Sequence, residues 1–274
     1  MSTNTALFAK PAAFIRRDFK IAASYRLQFV TQGIGIILST FSFFLVSRMF
    51  DGQNVASLTP YGGNYFSFAL IGIALTDYLT ISTNSFAGEI RSAQMVGTLE
   101  ALLVTPTSMS TILFSSFIFK LLATTIRIWA YLLLGVFFFG VTFPSVDLLL
   151  LAITFILTLI PFLGLGLFSA AFIIVFKQGS PISGLMAMAS GLLGGVLYPV
   201  SVLPAWLIPF SSVLPITHGL EAMRRILLNG AGIQDVIGQW NILFWLSLAF
   251  MGIGCGSIYY GLKIAKKDGS LLHY

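Results

Sequence analysis

Hydrophobic and polar positions along the chain form long apolar runs separated by short polar breaks. Six of these runs approach or exceed the roughly 20 residues that a helix needs to cross the hydrocarbon core of a bilayer. Their approximate ranges are 27–46, 63–82, 110–143, 148–176, 182–198 and 241–261. The pattern therefore predicts an all-α membrane protein with six transmembrane helices in one transmembrane domain over 27–274.

The first 26 residues predict a separate helix that lies flat on the membrane surface. Five basic residues in this segment alternate with apolar ones such as Phe14 and Phe19. A basic amphipathic helix of this kind binds an anionic lipid surface. The apolar run that follows from Leu27 is too long for the core of a cleavable signal peptide, so we expect it to be retained as the first span.

Composition excludes a soluble fold. Of 274 residues, 57% are apolar and 9% are charged, with a mean hydropathy of +0.94, whereas soluble domains carry about 25% charged residues. The net charge of +6 raises the question of a nucleic-acid partner, but basic residues flanking apolar spans are better explained by membrane topology. We therefore expect membrane lipid as a partner and no nucleic acid. The single cysteine, Cys255, excludes an internal disulfide.

Orientation follows from the distribution of Lys and Arg among the loops. With the N-terminus inside, ten of these residues lie on the inner side, while Arg48, Arg224 and Arg225 lie on the outer side. Because basic residues accumulate in cytoplasmic loops, the count predicts cytoplasmic N- and C-termini in the cell (inner) membrane.

The stretch between the fifth and sixth runs does not fit a simple span. Four prolines between positions 199 and 215 interrupt any continuous helix. The same stretch is too apolar for a loop in water, since it contains residues such as Trp206 and Phe210. An outer re-entrant hairpin shielded by protein accounts for both properties.

The polar segment after the second run has its own helical pattern. Apolar residues recur at helical spacing from Phe86 to Leu103, and Pro106 stops the pattern. The opposite side is polar, so the segment predicts a helix along the inner surface. Such a helix is either idle or a docking element for a cytoplasmic partner.

Two motifs in this order resemble permeases of the ABC-2 type, the membrane subunits of drug, lipid and polysaccharide exporters. The first places Glu89 before Gly97-Thr98-Leu99-Glu100 and Thr105-Pro106. The second has Pro215, Gly219-Leu220-Glu221 and Arg224 in the spacing of the family's outer re-entrant region. Six spans behind a basic interfacial helix also match, so the resemblance covers nearly the whole chain.

The resemblance implies an exporter that works by alternating access. It implies a dimer with a second permease copy or homologue, bound to two cytoplasmic ABC ATPase subunits. It assigns ATPase coupling to one set of residues and the outer gate to another. The coupling set is Glu89, Arg91, Gly97, Thr98, Leu99 and Glu100, and the gate set is Pro215, Glu221 and Arg224. The implied cargo is hydrophobic, lipid-linked or a glycan-lipid.

Charges and small residues inside the spans give further candidates. Asp77, Lys120 and Arg127 are costly in lipid and need water or a partner. We expect Asp77 to pair with one of the two cations, with Arg127 the better candidate, while Lys120 can extend to the inner interface. The small residues Ala187, Gly191 and Gly195 recur four apart, which predicts a dimer or pathway face or else ordinary helix packing.

No catalytic or metal site is predicted in this chain. It has no Gly-x-x-x-x-Gly-Lys-Ser/Thr phosphate loop, so ATP and Mg²⁺ are expected on the ATPase partner and no cofactor on the permease. One alternative is an intramembrane protease of the rhomboid kind using Ser190 and His218, although the glycine expected before the serine is missing. Another is a stand-alone secondary transporter, although no internal repeat is visible.

Overall fold

A computed structural model describes residues 3–49, 56–97, 109–144, 146–177 and 181–267. Within these ranges the regular structure is entirely helical. The α-helices are α1 (Thr3–Ser24), α2 (Arg26–Arg48), α3 (Tyr65–Met95), α4 (Met109–Phe139), α5 (Leu148–Phe176), α6 (Pro181–Leu193), α7 (Ile208–Val213), α8 (Pro215–Asn229) and α9 (Ile233–Lys267). Two short 3₁₀ turns occupy Ala56–Tyr61 and Val200–Val202. The all-α prediction is confirmed.

Five of the described helices are long and apolar enough to cross a membrane: α2, α3, α4, α5 and α9. The predicted fifth span, 182–198, is only partly helical, since α6 has 13 residues. At 1.5 Å per residue it reaches about 20 Å, less than the core of a bilayer. It ends because the chain turns at Gly194 and Gly195, and Gly195 has a φ of +74°. Among the described residues the structure therefore shows five full-length candidate spans, and the predicted count of six is not confirmed.

Residue 86 was predicted to begin a separate helix on the inner surface, but no new helix begins there. Residues 86–95 continue α3 without a break. They do so because Phe86 and Ile90 are each only 1% exposed and pack against α4 and α5. The helix ends before Gly97, whose φ is +72°. Residues 98–105 of the predicted helix lie outside the described residues.

α3 lies at the centre of the bundle. It packs against α4, α5, α6 and α8, and the apolar part of the helix is far more buried than that of any other candidate span. One core cluster joins α3 to α5, α6 and α8, and a second joins its C-terminal end to α4 and α5. α3 therefore contributes to core clusters at both ends of the described bundle.

α5 and α9 form the most extensive helix pair. Their backbones meet at Gly164 and Gly254, where an added Cβ on either residue would overlap the main chain of the other helix. Trp240 also donates a hydrogen bond to Thr154 Oγ1 at 2.8 Å. The neighbouring glycines Gly252 and Gly256 instead face open space. Small residues thus permit close packing between these two helices.

Candidate functional site

Polar contacts collect at three levels of the bundle. At one end, Glu89 of α3 lies between two cations on other helices. Arg17 of α1 approaches Glu89 Oε1 at 3.3 Å, and Lys120 Nζ of α4 approaches Oε2 at 3.4 Å. The carboxylate therefore joins α1, α3 and α4. Each contact is part-exposed, so each stabilises by about 1 kcal/mol or less.

The predicted coupling residues around Glu89 have different environments. Arg91 is exposed on α3, and Gly97 is exposed beyond its end. Thr98, Leu99 and Glu100 lie outside the described residues. Glu89 itself is engaged within the chain, which sequence spacing did not indicate. Lys120 reaches Glu89 and the carbonyl oxygen of Ser85, not Asp77.

At the middle level, Asp77 of α3 faces Arg127 of α4. The Oδ2–Nη1 distance is 3.6 Å, so the predicted pairing with Arg127 is confirmed. The contact is an ion pair without a hydrogen bond, because Asp77 Oδ2 and Arg127 Nε are both buried without a hydrogen-bond partner. A charged side chain near the centre of a membrane-inserted helix costs roughly 3 kcal/mol, and mutual neutralisation offsets part of this cost.

At the other end, Arg224 of α8 is only 2% exposed. Its guanidinium donates to three main-chain oxygens, those of Phe68, Gly195 and Val196, at distances from 2.7 to 3.3 Å. It also stacks on the Phe68 ring at 3.4 Å from the centroid. Arg224 thus joins α8 to α3 and to the chain that leaves α6. Burial lowers its pKa to about 9, so the guanidinium remains charged at neutral pH.

Glu221 makes the second contact at this end. Its Oε1 accepts from Arg225 Nε at 2.7 Å, one helical turn on, and its Oε2 accepts from Tyr61 Oη at 2.6 Å. Burial, together with the neighbouring Glu221 carboxylate, raises the pKa of Tyr61, so the phenol stays protonated as a donor. Asn229 adds a bond to the carbonyl oxygen of Pro60 at 2.6 Å. These bonds hold the 56–61 turn against α8.

A cavity of about 180 Å³ lies between these groups. Its walls come from the 56–61 turn, the end of α6, α8 and the start of α9. The lining residues are Tyr61, Gly194, Gly195, Pro199, Val200, Thr217, His218, Glu221, Arg224 and Gln239. Pro215, the remaining predicted gate residue, is buried in the first turn of α8. The three predicted gate residues therefore lie in one helix, and two of them, Glu221 and Arg224, line this cavity.

His218 and Ser190 do not form a protease pair in this structure. Both ring nitrogens of His218 are engaged, one with Gln239 Oε1 and one with the carbonyl oxygen of Ser212, each at 2.7 Å. Ser190 is buried within α6. Because neither imidazole nitrogen is available to accept a proton from Ser190, the arrangement argues against the protease reading.

The predicted small-residue face of α6 is only partly open. Ala187 and Gly191 are half-buried, and a Cβ on Gly191 would meet nothing. Gly195 is buried, and its carbonyl accepts from Arg224. It belongs to the turn after α6, where its positive φ ends the helix, so at Gly195 the structure shows packing within the chain, the second of the two predicted roles. The exposed side of α6 carries larger side chains such as Leu185.

Comparison with known proteins agrees with this architecture. The sequence model of the ABC-2 type transporter matches residues 12–228, most of the chain. The chain belongs to the ABC-2 type transporter family. Membership makes it a multi-pass membrane permease, and permeases of this family work with ABC ATPase components.

Two curated relatives match part of this ABC-2 permease. ABC transporter G family member 20 from Dictyostelium discoideum is 29% identical over 165 residues, 59% of this chain and 22% of that protein. The linearmycin resistance permease protein LnrN from Bacillus subtilis (strain 168) is 27% identical over 117 residues, 42% of this chain and 28% of that protein. The matches therefore span about a quarter of the length of these relatives.

Sequence reasoning missed two features of this site. Tyr61 contacts Glu221 from a loop 160 residues away, and no local pattern signals such a contact. The bonds of Arg224 to main-chain oxygens of distant segments were also not predicted, while Glu221 pairs with Arg225 at the i+4 position. The available signal was the break in helical sequence at Gly194-Gly195, which leaves carbonyl groups in need of a donor.

Proposed function

We propose that this chain is the membrane-spanning permease subunit of an ATP-driven exporter. A second permease copy or homologue and two ABC ATPase subunits complete the complex in the cell membrane, with both chain ends in the cytoplasm. ATP and Mg²⁺ bind on the ATPase, and this chain catalyses no reaction itself. The relative named for linearmycin resistance supports outward transport, since removal from the cell is one way in which a permease confers resistance.

The observation that carries the mechanism is the continuity of α3. Its 31 residues correspond to about 46 Å of helix. One end holds Glu89, with Arg17 and Lys120, next to the motif expected to meet the ATPase. The other end holds Phe68, which Arg224 ties to α8. A push on one end of a rigid, buried helix therefore reaches the other end.

The polar contacts at the two ends suit the two roles of the exporter. At the inner end, weak part-exposed ion pairs around Glu89 can rearrange when the ATPase moves. At the outer end, the buried bonds of Arg224 keep α8 and α3 together as one body. In this mechanism ATP binding tilts α3 with α8, which opens the outer side and closes the inner side. Both chain ends in the cytoplasm require an even number of crossings, so in this proposal α6 and the chain that follows it to Gly195 complete a sixth crossing. The re-entrant hairpin that the sequence suggests is the broken segment after it.

The first test is affinity purification of the tagged protein from its native membrane in mild detergent. We expect a P-loop ATPase to co-purify with the wild type. Changing Leu99 and Glu100 to Arg should abolish its recovery, because a charge reversal and a bulky cation would disrupt the motif. Changing Arg225, on the outer side, to Ala is the control and should leave recovery intact. Absence of an ATPase from the wild-type preparation would favour a stand-alone carrier instead.

A further inference from the structure

A groove opens between α5 and α9, two of the candidate membrane spans, on the outside of the bundle. Its volume is about 560 Å³, which falls within the range of small-molecule sites in proteins. We call it the α5–α9 groove. The residues that line it are Leu157 of α5 and, on the first four turns of α9, Ile237, Gly238, Trp240, Asn241 and Phe244.

Hydrogen bonds between the two helices hold the walls of the groove in place. Trp240 Nε1 donates to Thr154 Oγ1 at 2.8 Å, and Ser247 Oγ donates to the carbonyl oxygen of Leu157 at 3.2 Å. The half-buried indole of Trp240 therefore forms a fixed wall. Gly238 is exposed, and a Cβ at this position would meet nothing. The groove is thus preformed, and the missing side chain of a glycine leaves part of its space.

Asn241 places one polar group in these apolar surroundings. It is exposed, and its amide has no hydrogen-bond partner within the described part of the chain. Asp235, in the first turn of α9, belongs in the headgroup region because a carboxylate is costly in hydrocarbon. Asn241 lies about 9 Å further along the helix. At that depth the headgroup region meets the hydrocarbon core, and the ester carbonyls of diacyl lipids lie there.

The surface that continues from the groove along α9 is apolar. Its exposed side chains include Phe244, Trp245, Leu248 and Ile253. α9 packs mainly against α5 and α8, so in a membrane this side of a candidate span meets the acyl chains of lipids. A diacyl lipid offers both an acyl chain for this surface and a hydrogen-bond acceptor at the depth of Asn241.

We infer that the α5–α9 groove is a specific binding site for one diacyl phospholipid, in the leaflet at the α8 end of the bundle. One acyl chain lies over Phe244 and Leu248, and the Asn241 amide donates a hydrogen bond to an ester carbonyl. The open space at Gly238 accommodates the glycerol backbone. The lining residues carry no charge, so the site recognises the ester and the chain and not the headgroup. The inference requires insertion in a membrane, but neither export nor an ATPase.

The first test is native mass spectrometry of the protein purified from its native membrane in mild detergent. We expect the wild type to retain one phospholipid per chain. Gly238→Leu should remove most of the bound lipid, because its side chain fills the space of the glycerol backbone. Gly252→Leu is the matched control, since it adds the same side chain to the same helix at another glycine that faces open space, outside the groove. Equal lipid retention by the two variants, or a bound protein in place of a lipid, would overturn the proposal.

The second test addresses the hydrogen bond of Asn241. Delipidated protein is titrated with dipalmitoyl phosphatidylcholine and with its dihexadecyl ether analogue, which keeps the chain length and the headgroup but lacks the ester carbonyls. Phosphatidylcholine has no net charge, so the basic residues of α1 do not attract it. The wild type should bind the ester lipid about fivefold more tightly, as one net hydrogen bond predicts.

Asn241→Leu should bind both lipids equally, with an affinity close to that of the wild type for the ether lipid. This variant leaves the groove open, so the second test remains decisive if Gly238→Leu fails to fold. Equal affinity of the wild type for the ester and ether lipids would overturn the assignment of the ester carbonyl to Asn241.

Discussion

Removal of the Arg224 side chain should destabilise the fold more than removal of its neighbour. Arg224→Ala deprives the buried carbonyl oxygens of Gly195 and Val196 of a donor and removes the stacking on Phe68. Each buried acceptor left unpaired costs about 1–3 kcal/mol, so the loss is about 2–6 kcal/mol. At roughly 2–4 °C per kcal/mol for a chain of this size, the apparent unfolding midpoint should fall by roughly 4–24 °C.

The assay is thermal unfolding of the detergent-solubilised protein, followed by intrinsic tryptophan fluorescence and by loss of the monodisperse peak in size-exclusion chromatography. Arg225→Ala is the matched control, because this neighbouring side chain is 40% exposed and makes its ion pair within one helix. Such a pair contributes about 1 kcal/mol or less. If Arg224→Ala unfolds within the error of Arg225→Ala, the argument that Arg224 holds α8 to α3 is refuted.

Three further substitutions test other contacts in the same assay. Gly254→Ala should lower the free energy of unfolding by about 1–3 kcal/mol because its methyl group would overlap the Gly164 main chain of α5. Gly252→Ala is the control: Gly252 faces open space, so this change should be neutral or slightly stabilising. Equal effects of the two changes would contradict the close packing at Gly254. Tyr61→Phe should lower the free energy of unfolding by about 1 kcal/mol because the hydrogen bond to the Glu221 carboxylate is lost. An unchanged midpoint would show that this bond does not stabilise the fold. Asp77→Asn combined with Arg127→Gln should cost less than the sum of the single changes by about 0.5–3 kcal/mol, whereas strict additivity would show that the two side chains do not interact.

The sequence predicts most of the architecture because a helix that spans lipid needs a long apolar run with few charges. α5 has the bounds 148–176 that the apolar run predicted, since Asp147 caps its start and Lys177, with a φ of 54°, ends it. The pairing of Asp77 with Arg127 also followed from sequence, because a charge inside a span has few possible partners. These features depend on local sequence or on the scarcity of charge.

The remaining differences arise from contacts between distant segments. Nothing in the residues around Ser82 indicates that α3 continues to Met95; the burial of Phe86 and Ile90 against α4 and α5 stabilises that extension. The end of α6 likewise depends on Arg224, which provides hydrogen-bond donors for Gly195 and Val196. Hydropathy shows a polar segment after Ser82 and an apolar run over 182–198, and in neither place does it report the long-range contacts that set where the helix ends.

For the candidate site, the sequence predicted which residues take part but not which contacts they make. The motif placed Glu221 and Arg224 in one outer region, and both line the same cavity. The spacing did not show that Arg224 points away from Glu221, or that Glu89 pairs with Arg17 of α1. Long flexible side chains reach partners on other helices, and only the packing of those helices selects the partner.

The most direct test of the central claim is ATP hydrolysis by the purified ATPase partner, measured with and without this chain in proteoliposomes. We expect the hydrolysis rate to change when the permease is present, and the change to disappear when Leu99 and Glu100 are replaced by Arg. An ATPase whose rate is the same with the wild-type permease, the variant and empty liposomes would contradict the account of this chain as the membrane half of an ATP-driven exporter.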